Sequence, residues 1–432
     1  MVKRLTMIED KTHWAGKFFV VWTGQAFSLV GSALVQFALV WWLTKETGSA
    51  TILATSTLIA MLPQIFLGPF AGTFIDRWNR KAVMLVSDSL IAIATLFLIY
   101  LFSTGRESIF AIFMILLIRS AGGAFHYPAM QASTSLMVPK QHLARIAGMN
   151  QTLYGVISVF APPLGALLIS IFPLHSVLYV DVFTAIIAVT LLTLVAIPQP
   201  IKKNGIGDGT LKPNTYMQDL KEGWRYMVKW PGLLSLALLA MFLNFLLTPS
   251  ASLIPLMVTK IYHGGAVQLG LVDSSVGVGV ILGGLILSVW GGFKKKILTS
   301  VMGIVGMGIG IIVFGSLPGD QFYLALGACF FLGLMQVLAN GPLSAIFQAT
   351  IDPAMQGRVL SLIGAGATAM SPISLLVAGP VADNLGLRTW YIVGGIISVI
   401  AALSAYFIPA IMGIEDNHPD TVPSESTIPL EQ

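Results

Sequence analysis

The chain has 432 residues, 56% of them hydrophobic and only 10% charged, with a formal net charge of +5. Soluble domains are about a quarter charged, so water is not this chain's main solvent. The basic residues are spread along the sequence rather than gathered on one face, which excludes a nucleic-acid footprint, and the single cysteine, Cys329, excludes internal disulfides.

Crossing a hydrocarbon core about 30 Å thick takes about 20 apolar residues per helix. The charge-poor runs predict spans 1 to 6 at 18 to 43, 50 to 74, 81 to 104, 108 to 137, 144 to 172 and 174 to 197. Spans 7 to 12 follow at 231 to 260, 266 to 290, 296 to 316, 320 to 348, 357 to 383 and 387 to 412. The runs are long and unbroken, unlike the alternating ten-residue strands of a barrel. The expected fold is therefore an all-α membrane protein with twelve transmembrane helices. No cleaved leader is expected, because the first apolar run exceeds signal length and leads into further spans.

Basic residues stay on the cytoplasmic side of a bilayer. With both termini cytoplasmic, nineteen of the 24 basic residues fall in inner segments. Lys45, Arg106, Lys260 and Arg388 fall in outer loops, and Arg119 alone lies inside a span. The expected location is a cell membrane, the inner one where there are two.

The chain also repeats itself. Thr44 and Lys45 precede Gly68 as Thr259 and Lys260 precede Gly283, and Pro128 and Pro139 match Pro342 and Pro353 at an offset of 214. Two six-span halves follow, residues 1–197 and 231–412, entering the membrane in the same sense, as in parallel-repeat transporters. Residues 198–230 join them. Leu220, Trp224 and Met227 continue a helical apolar stripe from Tyr216 and Met217 beside Lys221, Arg225 and Lys229, predicting an amphipathic helix on the inner leaflet. The acidic, proline-containing residues 413–432 read as a polar cytoplasmic tail.

Polar side chains inside a membrane are costly, so their placement is informative. Span 1 carries Gln25, Ser28, Ser32 and Gln36 on one helical face. Its repeat mate, span 7, carries Asn244, Thr248 and Ser252; span 10 carries Gln336, Asn340, Ser344 and Gln348; span 4 carries Arg119, Gly123 and His126. Four such stripes at equivalent positions predict one shared polar substrate cavity between the halves. The competing reading is hydrogen bonding from helix to helix.

Arg119 needs a partner or water, since a mid-span Arg costs about 2.5 to 3.5 kcal/mol on insertion scales. The carboxylates in reach of the membrane are Asp88, Asp181 and Asp273. Each is a candidate proton carrier, because a low dielectric favours the neutral acid, and each is equally a fixed partner or helix cap. Between spans 2 and 3, Gly72 permits close helix approach and Asp76 can cap span 3 or pair with a base. The phosphate cradle of an ATPase, zinc-ligand spacing and the nucleophile elbow of a hydrolase are all missing from the sequence. An ATP-driven pump or an enzyme is therefore not expected, nor is a metal or other cofactor.

These residues resemble the major facilitator superfamily over the whole chain. Gly72 to Lys81 resembles its motif A, with Asp76 and Arg77 at the strongest positions and Asn79 where Gly is usual. Arg119 to Gly123 resembles the helix-4 motif whose Arg is implicated in proton coupling, with Gly122 in place of Gln. Pro162, Pro163 and Gly165 resemble the helix-5 antiporter motif, and the opening from Trp22 to Ser49 is similar to the bacterial branch of macrolide-type and siderophore exporters. The resemblance implies a monomeric, proton-driven exporter of bulky amphipathic compounds, with Gly72, Asp76, Arg77, Arg80 and Lys81 forming an inner-gate latch. Uptake of a small nutrient by symport, or a sensor that binds without transporting, are the rival functions.

Overall fold

The structure is a computed structural model and describes residues 14–199 and 213–415. Among these, twelve helices are long and apolar enough to cross a membrane. In the first half they are α1 (Trp14–Thr47), α2 (Ala50–Arg77), α3 (Arg80–Ser103), α4 (Ile109–Met137), α5 (Leu143–Ile171) and α6 (Leu174–Leu194). In the second they are α7 (Pro231–Ser252), α8 (Ala266–Trp290), α9 (Lys296–Ser316), α10 (Phe322–Thr350), α11 (Pro353–Leu385) and α12 (Leu387–Tyr406). Each boundary has a local cause. Gly48, at φ +57°, ends α1 in the left-handed region a side chain disfavours. Ser49, Asn79 and Ser108 then cap α2, α3 and α4 by accepting from Ile52, Ala82 and Ala111 N–H groups.

Span 7 is shorter than the sequence predicted. Rather than running to residue 260, α7 stops at Ser252, and a bend with two short turns occupies residues 253–261. Pro255 has no N–H to continue the ladder, and Met257–Ile261 forms a wide turn closed by Tyr262 N–H donating to Met257 O at 3.1 Å.

The two halves repeat one another in packing. Helix α1 packs on α5 and α6, α2 on α4, and α3 on α4 and α6. The second half gives the same pairs six helices later: α7 on α11 and α12, α8 on α10, and α9 on α10 and α12. Pro128 and Pro342 sit at matching depth inside α4 and α10, both 29 residues long. Packing in a bilayer relies on close backbone approach, because lipid tails are as apolar as leucine. Gly333 of α10 is the clearest case: a Cβ there would lie 2.0 Å from Val276 O of α8. Gly333→Ala must push two backbones apart, a loss of about 1–3 kcal/mol, read as a lower melting temperature in detergent. An unchanged melt would show that α8 and α10 are not in contact there.

The halves meet through α2 against α11 and α5 against α8. The ends of the described chain, the linker and the α2–α3 turn share one side of the bundle, the terminal face; the α1–α2 turn marks the far face. At the far face one buried apolar cluster spans both halves, with Leu39, Leu43 and Leu53 beside Leu256, Met257 and Leu269. At the terminal face the cores are separate: Phe18, Ile75, Met84 and Met137 in the first half, Trp230, Ile297, Phe347 and Val359 in the second. The bundle is therefore sealed at the far face and parted at the terminal face.

The linker helix, Pro213–Lys229, lies against α11. Its apolar face is only partly free to meet lipid. Met227 is buried in the second half's core, and Glu222 Oε2 is 2.8 Å from Arg358 Nη1, whereas Trp224 remains exposed. The side chains of Tyr216 and Met217, the tail from residue 416, and residues 1–13 and 200–212 lie outside the described residues.

Candidate functional site

With α2–α11 and α5–α8 forming the seams, α1 and α4 border the space between the halves from one side and α7 and α10 from the other. In place of the single polar cavity expected there, the halves carry two hollows, of which only the first half's has charged side chains in its wall. In the first half a cavity of about 570 Å³ is lined by Gln25, Ser28, Ser32, Gln36, Asp88, Arg119 and His126, joined by Gln64, Tyr127 and Tyr154. In the second a cavity of about 330 Å³ has Asn244, Thr248, Gln336 and Asn340 among mostly apolar neighbours such as Leu243, Met307, Phe314 and Leu332. The difference was hidden because the four stripes mark which helix faces point inward, not what fills the wall between them.

Two carboxylates organise the polar cavity, and their surroundings differ. Asp181 of α6 is 1% exposed and forms a buried ion pair with Arg119 of α4. It also accepts from Thr95 Oγ1 of α3 at 2.7 Å and from Ser32 Oγ of α1 at 3.0 Å. Four helices thus converge on one fully engaged carboxylate, and Thr95, which also contacts Arg119, was not anticipated. A threonine in an apolar span carries no distinctive signal of its own.

Asp88 of α3 has no arginine. Its Oδ2 accepts from Gln25 Nε2 at 3.0 Å, and its Oδ1 lies 3.3 Å from His126 Nε2, an ion-pair distance that lacks hydrogen-bond alignment. Gln25 Oε1 has no hydrogen-bond partner among the described residues. A low-dielectric network with unmet acceptors is held less firmly than a satisfied one. Asp88 is accordingly held by fewer contacts than Asp181.

The other expected residues divide. Asp273, in α8, is not in the wall of either cavity and forms no ion pair or hydrogen bond among the described residues. It stands three residues before Val276 of the second cavity. Ser252 seals rather than lines: its Oγ is 2.8 Å from Thr57 Oγ1 of α2. Pro162, Pro163 and Gly165 form a packing knuckle, where α8's Gly270 abuts Pro162 and Phe37 of α1 abuts Gly165.

Two bases of the expected latch reach carbonyl groups of the first half. Arg80 Nη1 donates to Ala132 O at 2.7 Å and Lys81 Nζ to Thr193 O at 2.8 Å. Both contacts lie within the first half: Thr193 O is at the C-terminal end of α6, where carbonyls lack helical donors, and Ala132 O belongs to α4. Gly72, Asp76 and Arg77 lie in α2 with side chains outside the described residues.

The family pattern described as "Major Facilitator Superfamily" matches residues 21–374. The chain belongs to the major facilitator superfamily. It is a multi-pass membrane transporter of small solutes. It is 33% identical to "Macrolide efflux protein A" of Streptococcus pyogenes over 92% of this chain and 96% of that one. It is 23% identical to "Multidrug efflux pump Tap" of Mycolicibacterium fortuitum over 89% and 94%. A solved bacterial homologue of the human lysosomal transporter Spinster superposes with a TM-score of 0.71 at 13% identity, covering 95% of this chain and 100% of that one.

Proposed function

We propose that this transporter exports bulky amphipathic compounds of macrolide type, exchanging them for protons. The reading rests chiefly on the pairing of an acid-bearing polar cavity with an apolar one across the space between the halves. Together they suit a solute with an apolar body and a polar group, and both volumes fall in the range of small-molecule sites. The names of the relatives support a macrolide-like substrate and outward direction.

In this reading the terminal face is cytoplasmic, as the basic residues favour, so the parted cavity loads from the cytoplasm. Alternation then closes the terminal face and opens the far one. Asp88 carries the proton, with Gln25 and His126 as its neighbours. Arg119 and Asp181 hold the four helices that shape the cavity. One proton moving through about 100 mV supplies about 2.3 kcal/mol, enough to concentrate a neutral solute roughly fiftyfold. The transporter works as a monomer, without a cofactor and without covalent chemistry of its own.

Everted membrane vesicles from a host lacking its own pumps test this reading. They are expected to accumulate a radiolabelled macrolide when energised and to lose that accumulation when an uncoupler collapses the proton gradient. Accumulation untouched by the uncoupler would remove the proton from the mechanism.

A further inference from the structure

The seal at the far face contains an ionisable contact that the sequence did not suggest. Asp383 lies near the C-terminal end of α11, which closes at Leu385. An acid there is misplaced for its own helix, whose C-terminal end carries partial negative charge. Its carboxylate instead reaches the other half of the molecule. Oδ1 accepts from Ala50 N–H at 2.8 Å, and Oδ2 accepts from Thr51 N–H at 2.9 Å, Thr51 Oγ1 at 2.7 Å and Ser49 Oγ at 3.0 Å. Ala50 and Thr51 begin α2, so their N–H groups have no partner inside that helix. A carboxylate from the second half thus completes the N-terminal cap of a helix in the first.

The approach is tight enough to depend on this contact. Gly379 stands one turn before Asp383, and a Cβ there would lie 2.7 Å from Thr51 Cα. Nearby, Thr57 and Ser252 bridge α2 to α7 at 2.8 Å. Opening the far face must draw α2 away from α11, which breaks all four bonds to Asp383 together and leaves a carboxylate and a helix N-terminus without each other.

We propose that Asp383 is a gating residue, a far-face latch whose grip on the N-terminus of α2 sets how readily the transporter leaves the state with its terminal face parted. It touches no transported solute and acts through α2. The proposal rests on the family's alternation between two open states and not on the choice of substrate or of driving ion.

The test uses the full-length protein with Cys329→Ala, which leaves no native cysteine. The pair Thr57→Cys and Ser252→Cys reports closure of the far face by disulfide cross-linking, and Gln348→Cys, made separately on α10, reports access from the terminal face by maleimide labelling. Asp383→Ala is expected to slow cross-linking at least fivefold and to reduce Gln348→Cys labelling, because the population moves toward the opposite state; Asp383→Glu should keep most of both. Ser49→Ala with Thr51→Val removes two donors while leaving the acid, and should move both readouts in the same directions by a smaller factor. This second variant decides the matter should Asp383→Ala fail to insert. Unchanged cross-linking in the variants that insert would overturn the latch. So would a rise in terminal-face labelling alongside slower cross-linking, the mark of general loosening. Neither readout involves a proton gradient or a drug, so failure here leaves the export reading standing.

Discussion

Arg119→Ala is expected to lose both transport and stability, and the loss of stability comes first. The guanidinium and the Asp181 carboxylate are 9% and 1% exposed, and removing one partner of a buried pair costs about 3 to 5 kcal/mol, because the other charge stays behind unpaired. Thr95 and Ser32 can hydrogen-bond Asp181 but cannot neutralise it. Adding Asp181→Asn should therefore restore most of the stability in Arg119→Ala, and with it transport to within about tenfold of the wild type. A detergent melting curve and an efflux assay on the single and double variants check this. A single variant as stable as the wild type would mean that the pair is not buried. A double variant that folds but does not transport would give Arg119 a direct part in coupling.

Asp88→Asn should behave in the opposite way, keeping the fold and losing the coupling. An asparagine can still accept from Gln25 Nε2, so the bond at 3.0 Å survives the substitution. What disappears is the ionisable group that faces the cavity beside His126. Proton-driven accumulation is expected to fall at least tenfold, while downhill exchange of substrate continues. If Asp88→Asn accumulates substrate as the wild type does, the proton is carried elsewhere.

Much of the architecture was legible because lipid imposes simple rules. Span length, the placement of bases and the paired prolines at 128 and 342 gave the number of helices and their repeat, and the chain packs accordingly. Span 7 ran too far because Leu253 to Val258 stays apolar through the break at Pro255, and hydropathy measures composition rather than backbone geometry. The stripes of α1 and α4 and the earlier residues of those on α7 and α10 line the cavities, as helical spacing suggested, whereas Ser252, Ser344 and Gln348 line neither.

Partners were harder to read than faces. Arg119 required a counter-charge, yet three carboxylates were available, and choosing Asp181 depends on the rotation of α6 against α4, which sequence spacing within one helix does not contain. The same limit kept Asp88 and His126 from being joined. Arg80 and Lys81 followed the family's gate motif, and each donates to a carbonyl of its own half. The position of Asp383 did carry a usable signal: an acid at the end of a helix where a base is preferred invites the question of which other helix it serves.

The exchange of solute for protons is tested most directly in proteoliposomes holding the purified protein, a pH dye and an acidic lumen, with the cytoplasmic side of the transporter facing out. Adding a macrolide outside should make the lumen more alkaline as substrate enters and protons leave, and Asp88→Asn liposomes should show no such change. Macrolide entry without any proton movement, or equal proton movement in Asp88→Asn, would contradict the account.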